Sequence, residues 1–350
     1  MSVKEMAPSE FPLEPLAHPT LADVAAIAGV SIKTASRVMN GSEQVSDETA
    51  EKVKKAANLV GYRSNRIARE LRIGSLSNLV GMIISDLANP FYAGLAAGAE
   101  ERLGEEGLDL ILATARDDGE REKYLIESLL ERRVRGLIIV PSGEDYSYLH
   151  QERKRGFSFV FADRPAPYLD ADSVTVDNRG GITACLDYLL EKKCKKIAII
   201  ADTTNIWTAS ERIEAFKQAI LSRRVDIGNT QIVTDIHTSD EAAIAATHLL
   251  KNHPDVDGII ATNDLIAMGV GQVISEGEHN VHVVSFDLFA TANLLKIATL
   301  DHDPKRLGRL SAEQLLRRFQ NPTDSIFVTE VMKVEMKRYL PFSAEGKDRV

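Results

Sequence analysis

An apolar helical stripe that stops and restarts within residues 21–38 constrains this chain more than any other feature. Apolar residues recur there at helical spacing, and Gly29 divides the stripe into two short segments. Thr20 can cap the first helix and Ser31 the second. Gly29 tolerates the left-handed backbone that a sharp turn between helices requires. The sequence therefore predicts two short helices joined by a tight turn.

The outer face of the second helix carries Ile32, Lys33, Ser36 and Arg37, so it presents small polar and basic side chains beside one apolar one. Two short helices with such a face are typical of a helix-turn-helix that reads DNA. The alternative is an αα-hairpin that only packs against a larger domain. The helix pattern by itself does not separate the two interpretations.

A third helix and a basic segment follow. Ser46 is placed to cap this helix, with Asp47 and Glu48 in its first turn and Gly61 at its end. Between Ser31 and Arg72 there are nine Lys or Arg and five Asp or Glu, a net charge of +4, whereas the whole chain carries −9. A basic N-terminal module on an acidic body is typical of a protein that contacts DNA phosphates with one end.

Residues 30–40, 45–46 and 61–71 together resemble the DNA-binding region of the lac repressor (LacI/GalR) family. The resemblance spans three helices and a hinge, and Ser64 departs from it because the family often has Pro there. It implies that the recognition helix reads base edges, that hydroxyls and amides hold phosphates, and that hinge residues open a minor-groove step. The residues implied to contact DNA are Thr20, Leu21, Ser31, Ile32, Lys33, Thr34, Ser36, Arg37, Asn40, Asn65, Ala68 and Leu71.

The chain termini and the cysteines carry little functional signal. Residues 1–19 contain four Pro and lack the features of a secretory signal, so we interpret them as a disordered tail. No apolar run is long enough for a membrane span, and we expect no membrane partner. Cys185 and Cys194 fit small packed residues in a reducing compartment, which predicts a cytoplasmic protein. The C-terminal tail, 341–350, has no leucine heptads, which argues against a tetramerising coiled coil.

From residue 80 onward, short apolar strands alternate with amphipathic helices. The predicted strands form two series: 80–85, 108–113, 136–140 and 157–162, then 196–201, 231–234, 258–261 and 281–285. This alternation predicts parallel sheets covered on both faces. The expected fold class is an N-terminal all-α helix-turn-helix domain plus an α/β core of two doubly wound parallel-sheet lobes. The core also resembles the family, whose core is like a periplasmic sugar-binding protein.

These patterns predict the domain organisation. A break near 174–181 separates the two series of strands. The expected segments are a helix-turn-helix domain at 20–63, a hinge helix and linker at 64–78, and a two-lobed effector-binding and dimerisation domain at 79–340, with lobe crossings near 164–178 and 287–304. The resemblance to the family covers residues 20–340.

Two doubly wound lobes place a ligand cleft outside the carboxyl ends of their strands. Polar and aromatic residues that follow the predicted strands, or match effector positions of the family, are Asp86, Phe91, Asp163, Arg164, Arg212, Asn263 and Asp287. Carboxylates and guanidinium groups suit a polyhydroxylated ligand because each can bond two neighbouring hydroxyls. The resemblance implies that Arg212, Asn263 and Asp287 contact the effector, and that Asp163 and Arg164 bind a pentose or similar ring.

Each candidate has a simpler interpretation. Asp86 could be an ordinary loop residue, and Arg212 could lie on a solvated helix face. Asn263 or the neighbouring Asp264 could cap the next helix. Leu288 stands where relatives often have a second acid, which leaves the identity of the effector open.

The sequence lacks the usual enzyme signatures. There is no dinucleotide fingerprint, P-loop, zinc-protease motif or nucleophile elbow, so we predict no catalysis, no cofactor and no metal. Residues 301–303, Asp-His-Asp, could suggest a metal site. Their place at a predicted crossover strand before a helix favours a surface position or hydrogen bonding between the lobes.

The sequence thus predicts a homodimeric repressor that binds a pseudo-palindromic operator and is switched by a sugar, polyol or nucleoside-like effector. The hinge helices are too short to be stable alone and would form only with a partner and DNA. Two alternatives remain open. One is a sugar-binding module or enzyme whose N-terminal helices only dimerise it, and the other is a regulator controlled mainly by a protein corepressor.

Overall fold

The computed structural model describes residues 19–40, 44–62, 77–225, 228, 230–277 and 279–337. The chain divides into two compact units, with the boundary between Ser77 and Asn78. The predicted hinge contacts of Asn65, Ala68 and Leu71, and the tails 1–18 and 341–350, lie outside the described residues.

The first unit contains α1 (Leu21–Ala28), α2 (Ile32–Met39) and α3 (Asp47–Val60). Thr20 caps α1 through a reciprocal pair of bonds with Asp23, and the Ser31 hydroxyl accepts from the Thr34 amide at 3.1 Å. Gly29 ends α1 in the left-handed conformation, with φ of 65°. The sharp turn expected from the interrupted stripe is therefore present.

The prediction that the Ser46 side chain caps α3 with a hydrogen bond is wrong. Ser46 occupies the capping position, but its side chain makes no hydrogen bond to the helix backbone. Its Oγ lies 2.9 Å from the hydroxyl of Thr49 instead, so the two side chains satisfy one another. The first turn still carries Asp47 and Glu48 near the positive end of the helix dipole.

Small side chains form the core of the first unit. The buried residues are Val24, Ala25, Ala35, Val38, Val53, Ala56, Ala57 and Val60. Cores of small domains rarely supply more than about 3–5 kcal/mol of net stability. Ile32, by contrast, is 56% exposed on α2, so a large apolar side chain is left on the outer face.

The second unit alternates strands and helices. In chain order its elements are β1 (Leu79–Ile84), α4 (Pro90–Gly104), β2 (Asp109–Thr114), α5 (Gly119–Glu131), β3 (Gly136–Ile139), a 3-10 turn (Ser147–Leu149), α6 (His150–Lys154), β4 (Ser158–Asp163), β5 (Asp172–Val176), α7 (Asn178–Glu191), β6 (Ile197–Ile200), α8 (Trp207–Ser222), β7 (Thr230–Val233), α9 (Ser239–Asn252), β8 (Gly258–Ala261), α10 (Asp264–Glu276), β9 (His282–Ser285), β10 (Ala298–Asp301), α11 (Pro304–Gln320), β11 (Thr329–Met332) and β12 (Glu335–Lys337).

The strands form two sheets of six. The first has the order β11-β5-β4-β3-β1-β2 and is parallel throughout. The second has the order β12-β10-β9-β8-β6-β7, and only β12 runs antiparallel to its neighbour. The predicted fold class of two doubly wound parallel-sheet lobes is confirmed. We call these sheets and their helices lobe 1 and lobe 2.

Four strands of the structure are not in the two predicted series, namely β5, β10, β11 and β12. Residues 174–176, expected within the break, belong to β5 of lobe 1, and the chain leaves that lobe directly after it. Strands β11 and β12 carry no continuous apolar run, since most of their residues are partly or fully exposed. Short edge strands of this kind give no hydrophobic signal.

Within the described residues the chain passes between the lobes three times. The passages follow β5 at Asp177, follow β10 at 302–303, and separate β11 from β12 at 333–334. The first two lie inside the predicted crossing segments, and the third was not predicted. Each passage is a short segment at the end of a strand, which is where hinges between lobes usually lie.

Helix α11, which enters lobe 1 from the second passage, packs closely on α4. A Cβ atom on Gly98 would lie 1.8 Å from the carbonyl oxygen of Lys305, and one on Gly308 would lie 1.9 Å from that of Leu95. Only glycine fits at such backbone contacts. None of the described helices, α4 and α11 included, is both long enough and apolar enough to traverse a bilayer.

Candidate functional site

The first unit presents the predicted recognition residues at its surface. Ile32, Lys33 and Arg37 are exposed on α2. The side-chain amide of Asn40 donates a hydrogen bond to the Ser36 hydroxyl at 3.2 Å, which holds both side chains at the end of the helix. The other described residues of the DNA-contact prediction are Thr20, Leu21, Ser31 and Thr34, at the N-termini of α1 and α2.

The second unit has a cleft between the carboxyl ends of the two sheets. Its volume is about 370 Å³. Side chains from both lobes line it, including every residue predicted to contact an effector: Asp86, Phe91, Asp163, Arg164, Arg212, Asn263 and Asp287. Sequence positions as far apart as 86 and 287 therefore meet in one cavity.

Arg164 is fixed on the lobe 1 side of the cleft. Nη1 donates to Asp117 at 3.0 Å and to the Pro141 carbonyl at 2.8 Å, and Nη2 donates to the Tyr92 hydroxyl at 2.8 Å. Its Nε lies 3.4 Å from Asp163 but has no hydrogen-bond partner in the described part of the chain. A guanidinium group has five N–H donors, so Arg164 can still donate to a ligand.

Asp163 ends β4 and is 4% exposed. Burial raises the pKa of its carboxyl group, although the guanidinium groups of Arg164 and Arg212 oppose that rise. Its φ of 68° places a non-glycine residue in the left-handed region. Strain of this kind concentrates at functional sites because surrounding contacts must hold it in place.

Arg212 is positioned by lobe 2. It is 7% exposed, so the alternative of a solvated helix face is wrong. Nε donates to Asn178 at 2.8 Å, Nη1 donates to the Thr262 carbonyl, and the guanidinium lies 3.7 Å from the ring centre of Phe286. Stacking and directed bonds together present a rigid cation to the cleft.

Asp287, which lines the cleft, lies next to two other buried residues, Asp264 and His302. Oδ1 of Asp287 lies 2.7 Å from Nε2 of His302, and Oδ2 accepts from the Asp264 amide at 3.4 Å. Burial would raise the pKa of Asp287, but the His302 hydrogen bond and nearby positive charge hold it below its usual range. Burial and the Asp287 charge raise the pKa of Asp264 to about 7.

Two of the simpler interpretations hold in part. Oδ1 of Asn263 caps α10 by accepting from the Ile266 amide at 2.8 Å, while the residue also lines the cleft. Asp86 is an exposed loop residue that accepts from the Ala88 amide at 3.0 Å, and it lies at the cleft as well. A local bond uses only part of each side chain, so neither excludes ligand contact.

Several residues that shape the cleft were not predicted. Tyr92, Asp117 and Asn178 each bind one of the two arginines. Asp117 follows β2, so the rule that polar residues after strands meet at one edge could have found it. Asn178 lies just after the unpredicted strand β5. His302 was expected at the surface or bonded between lobes, and it is buried against Asp287 while its ring contacts Phe91.

The described residues include no group of three or more His, Cys, Asp or Glu side chains arranged to hold a metal ion. Cys185 and Cys194 are buried and free. Burial raises the pKa of the Cys194 thiol to about 11, so this sulfur stays protonated and unreactive at neutral pH.

A helix-turn-helix unit followed by a two-lobed domain with a polar cleft defines a ligand-binding transcriptional regulator. Comparison with known families agrees. Residues 20–65 match the bacterial regulatory proteins of the lacI family, and residues 77–338 match the periplasmic binding proteins and sugar binding domain of the LacI family. The chain belongs to the LacI family of transcriptional regulators.

Individual relatives support this assignment. The transcriptional regulator CelR of Thermobifida fusca is 30% identical, and the match covers 94% of this chain and 98% of CelR. A solved structure of a CelR–cellobiose complex is 28% identical, with a TM-score of 0.64 and coverage of 91% and 98%. The lac repressor dimer bound to operator and an anti-inducer is 24% identical, with a TM-score of 0.76 over 94% of this chain and all of that one, and shares the fold.

Proposed function

We propose that this protein is a repressor whose affinity for its operator is set by a sugar, or a similar polyhydroxylated molecule, bound between the lobes. The observation that carries the proposal is the convergence of Asp163, Arg164, Arg212 and Asp287 from both lobes on one cavity. Such a constellation matches a ring with several hydroxyls, because every hydroxyl both donates and accepts. The cellobiose complex of CelR supports a sugar as the ligand class.

The cleft residues would make three different kinds of contact with the ligand. The carboxylates of Asp163 and Asp287 accept hydrogen bonds from ligand hydroxyls, while Arg164 and Arg212 donate with N–H groups that the protein leaves free. Phe91 supplies an apolar face for the C–H side of a ring. Because both arginines are buried and already bonded, they need little reorganisation when a ligand enters.

Binding to both lobes provides the switch. A ligand held by Asp163 of lobe 1 and Asp287 of lobe 2 favours one relative orientation of the lobes. It shifts that equilibrium only by the difference between its affinities for the two orientations. The three interlobe connections are the segments that would rotate.

On the DNA side, the exposed face of α2 would enter the major groove, with Lys33 and Arg37 donating to base edges. We propose a homodimer on a pseudo-palindromic operator, as supported by the dimeric lac repressor bound to its operator. Asn65, Ala68 and Leu71 remain proposed hinge contacts. A regulator of bacterial transcription works on the chromosome, so we place this one in the cytoplasm. We propose no catalytic activity and no cofactor.

A thermal-shift screen of the full chain tests the ligand class. Neutral sugars, polyols, nucleosides and sugar phosphates are compared, because a ligand that binds only the native state must stabilise it. We expect one sugar class to raise Tm with concentration, and Asp287→Asn to lose that rise. Asp240→Asn, an exposed acid on α9, is the control. A flat response across the panel contradicts a sugar effector and favours control by a protein corepressor.

A further inference from the structure

A second, larger cavity adjoins the cleft. Its volume is about 1490 Å³, and it shares Asp117, Arg164, Ile206 and His237 with the inner cavity. We call it the outer chamber. Ligand pockets usually measure about 300–1,000 Å³, so the inner cavity of about 370 Å³ lies at the lower end of that range. A molecule larger than a single ring could extend from the inner cavity past Arg164 into the outer chamber.

Each lobe places an exposed aromatic side chain in the outer chamber. Trp207, the first residue of α8 in lobe 2, is 36% exposed, and Tyr168, in the β4–β5 loop of lobe 1, is 78% exposed. Tyr168 also has a φ of 58°. Left-handed backbone at a bulky residue costs on the order of 1–3 kcal/mol and points to a functional constraint. Each lobe thus contributes an exposed aromatic ring to the lining of the outer chamber, where it can contact the apolar face of a sugar ring.

The charges of the outer chamber select against an anionic occupant. Its acidic lining residues are Asp117, Asp118, Glu120, Glu122, Glu144 and Asp145, whereas its basic ones are Arg116, Lys123 and Arg164. Asp117 and Arg164 pair with one another, and burial raises the pKa of Glu122, so the excess negative charge comes from Asp118, Glu120, Glu144 and Asp145. A phosphate or carboxylate on the extending part of the ligand would meet excess negative charge. A neutral, hydroxylated extension would find acceptors instead.

We propose that the outer chamber is a second glycosyl subsite, so that the effector is a neutral oligosaccharide and not a monosaccharide. The proposal rests on the proposed function, since the first ring must occupy the inner cavity. The ring in the outer chamber contacts Trp207 of lobe 2 and Tyr168 of lobe 1, which adds contacts from both lobes and so strengthens the coupling to lobe orientation.

Trp207 is itself the reporter for a direct test, because the chain contains one Trp. Intrinsic fluorescence of the full-length protein is titrated with cellobiose, maltose and xylobiose, and with glucose and xylose. We expect one disaccharide to change the emission and to bind at least about tenfold tighter than its monosaccharide. Equal affinity for a disaccharide and its monosaccharide overturns the second subsite but leaves the proposed function standing.

A matched pair of tyrosine variants locates the second ring. Tyr168→Ala should weaken disaccharide binding by about tenfold and leave monosaccharide affinity unchanged, as measured by calorimetry. Tyr124→Ala is the control, because Tyr124 is 67% exposed on α5 and lines neither cavity. If disaccharide affinity is the same in Tyr168→Ala as in the unaltered protein, the subsite is wrong. If no neutral sugar in the panel binds, both the subsite and the proposed sugar effector are wrong.

Discussion

The imidazole Nε2 of His302 lies 2.7 Å from Oδ1 of Asp287, at the point where the chain passes from lobe 2 to lobe 1. The ring centre of His302 is also 5.6 Å from that of Phe91 in lobe 1 and 5.7 Å from that of Phe286 in lobe 2. One side chain therefore orients a cleft carboxylate and contacts both lobes. A ligand that engages Asp287 acts directly on an interlobe segment.

Replacing His302 by Leu should destabilise the second unit. Asp287 would keep a buried charge without its hydrogen-bond donor, which costs about 1–3 kcal/mol and raises the pKa of its carboxyl group. Urea unfolding at pH 7 measures the loss. His248→Leu, at an exposed position on α9, is the control and should change stability little. Equal stability of His302→Leu and the unaltered protein would show that the bond does not hold Asp287.

Asp264 should make stability fall as the pH rises toward neutrality. Burial and the Asp287 charge raise its pKa to about 7 in the folded protein, whereas an Asp in an unfolded chain loses its proton near pH 4. Between these two pKa values, Asp264 keeps its proton in the folded state but has lost it in the unfolded state. The stabilisation is thus complete below the unfolded pKa and is lost as the pH passes through the folded pKa, with a slope of up to about 1.4 kcal/mol per pH unit.

Asp264→Asn removes this titration while keeping an oxygen for the Leu265 amide, which now donates to Asp264 at 2.8 Å. We expect a flatter dependence of the free energy of unfolding on pH between roughly 4 and 7, the two pKa values that bound the titration, and a more stable protein above pH 7. Asp240→Asn should retain the original slope. A variant with the same slope as the unaltered protein would contradict the assignment to Asp264.

The close approach of α4 and α11 predicts a local effect of adding one methyl group. Gly98→Ala would push a Cβ into the Lys305 carbonyl, so we expect a loss of about 1–3 kcal/mol or more in the free energy of unfolding. Gly104→Ala is the matched control in the same helix, because a Cβ there meets nothing within 4 Å. That change should be neutral or stabilise by about 0.5–1 kcal/mol. Similar results for both variants would mean that the helices can separate freely.

Arg37→Ala should weaken specific DNA binding by about 1–3 kcal/mol and relax base preference at one position in each half-site. An operator selected from a random duplex library supplies the probe, and fluorescence anisotropy measures its Kd. Lys251→Ala removes an exposed charge from the second unit and serves as the control. Operator affinity that does not change in Arg37→Ala would contradict a base-reading role for α2.

Features of the fold that depend on local pattern were predictable. Helices α1 and α2 follow from one interrupted stripe, and α3 follows from the acidic first turn after Ser46 and the Gly61 that ends it. The eight predicted strands follow from continuous apolar runs. The edge strands β11 and β12 lack such runs, so only tertiary pairing reveals them. The hydroxyl of Ser46 bonds Thr49 because two neighbouring side chains compete with the backbone, which a cap pattern does not encode.

The cleft was predictable where its residues follow strands. Asp163, Asn263 and Asp287 were found in this way, since parallel strands deliver their carboxyl ends to one edge. Tyr92 and His302 were not assigned to it, because their roles depend on partners distant in sequence: the Tyr92 hydroxyl binds Arg164, and His302 binds Asp287. Contacts between residues that are distant in sequence produce no periodic pattern from which they could be predicted.

A sugar bound in the cleft should change the affinity of the protein for its operator, and fluorescence anisotropy of a labelled operator measures that change. The Kd is measured with and without a saturating concentration of the sugar that gives the largest thermal shift. We predict a change of at least about tenfold for the unaltered protein, with none for Asp287→Asn, whose Kd without sugar stays normal. An operator Kd that is the same with and without the bound sugar would contradict the account.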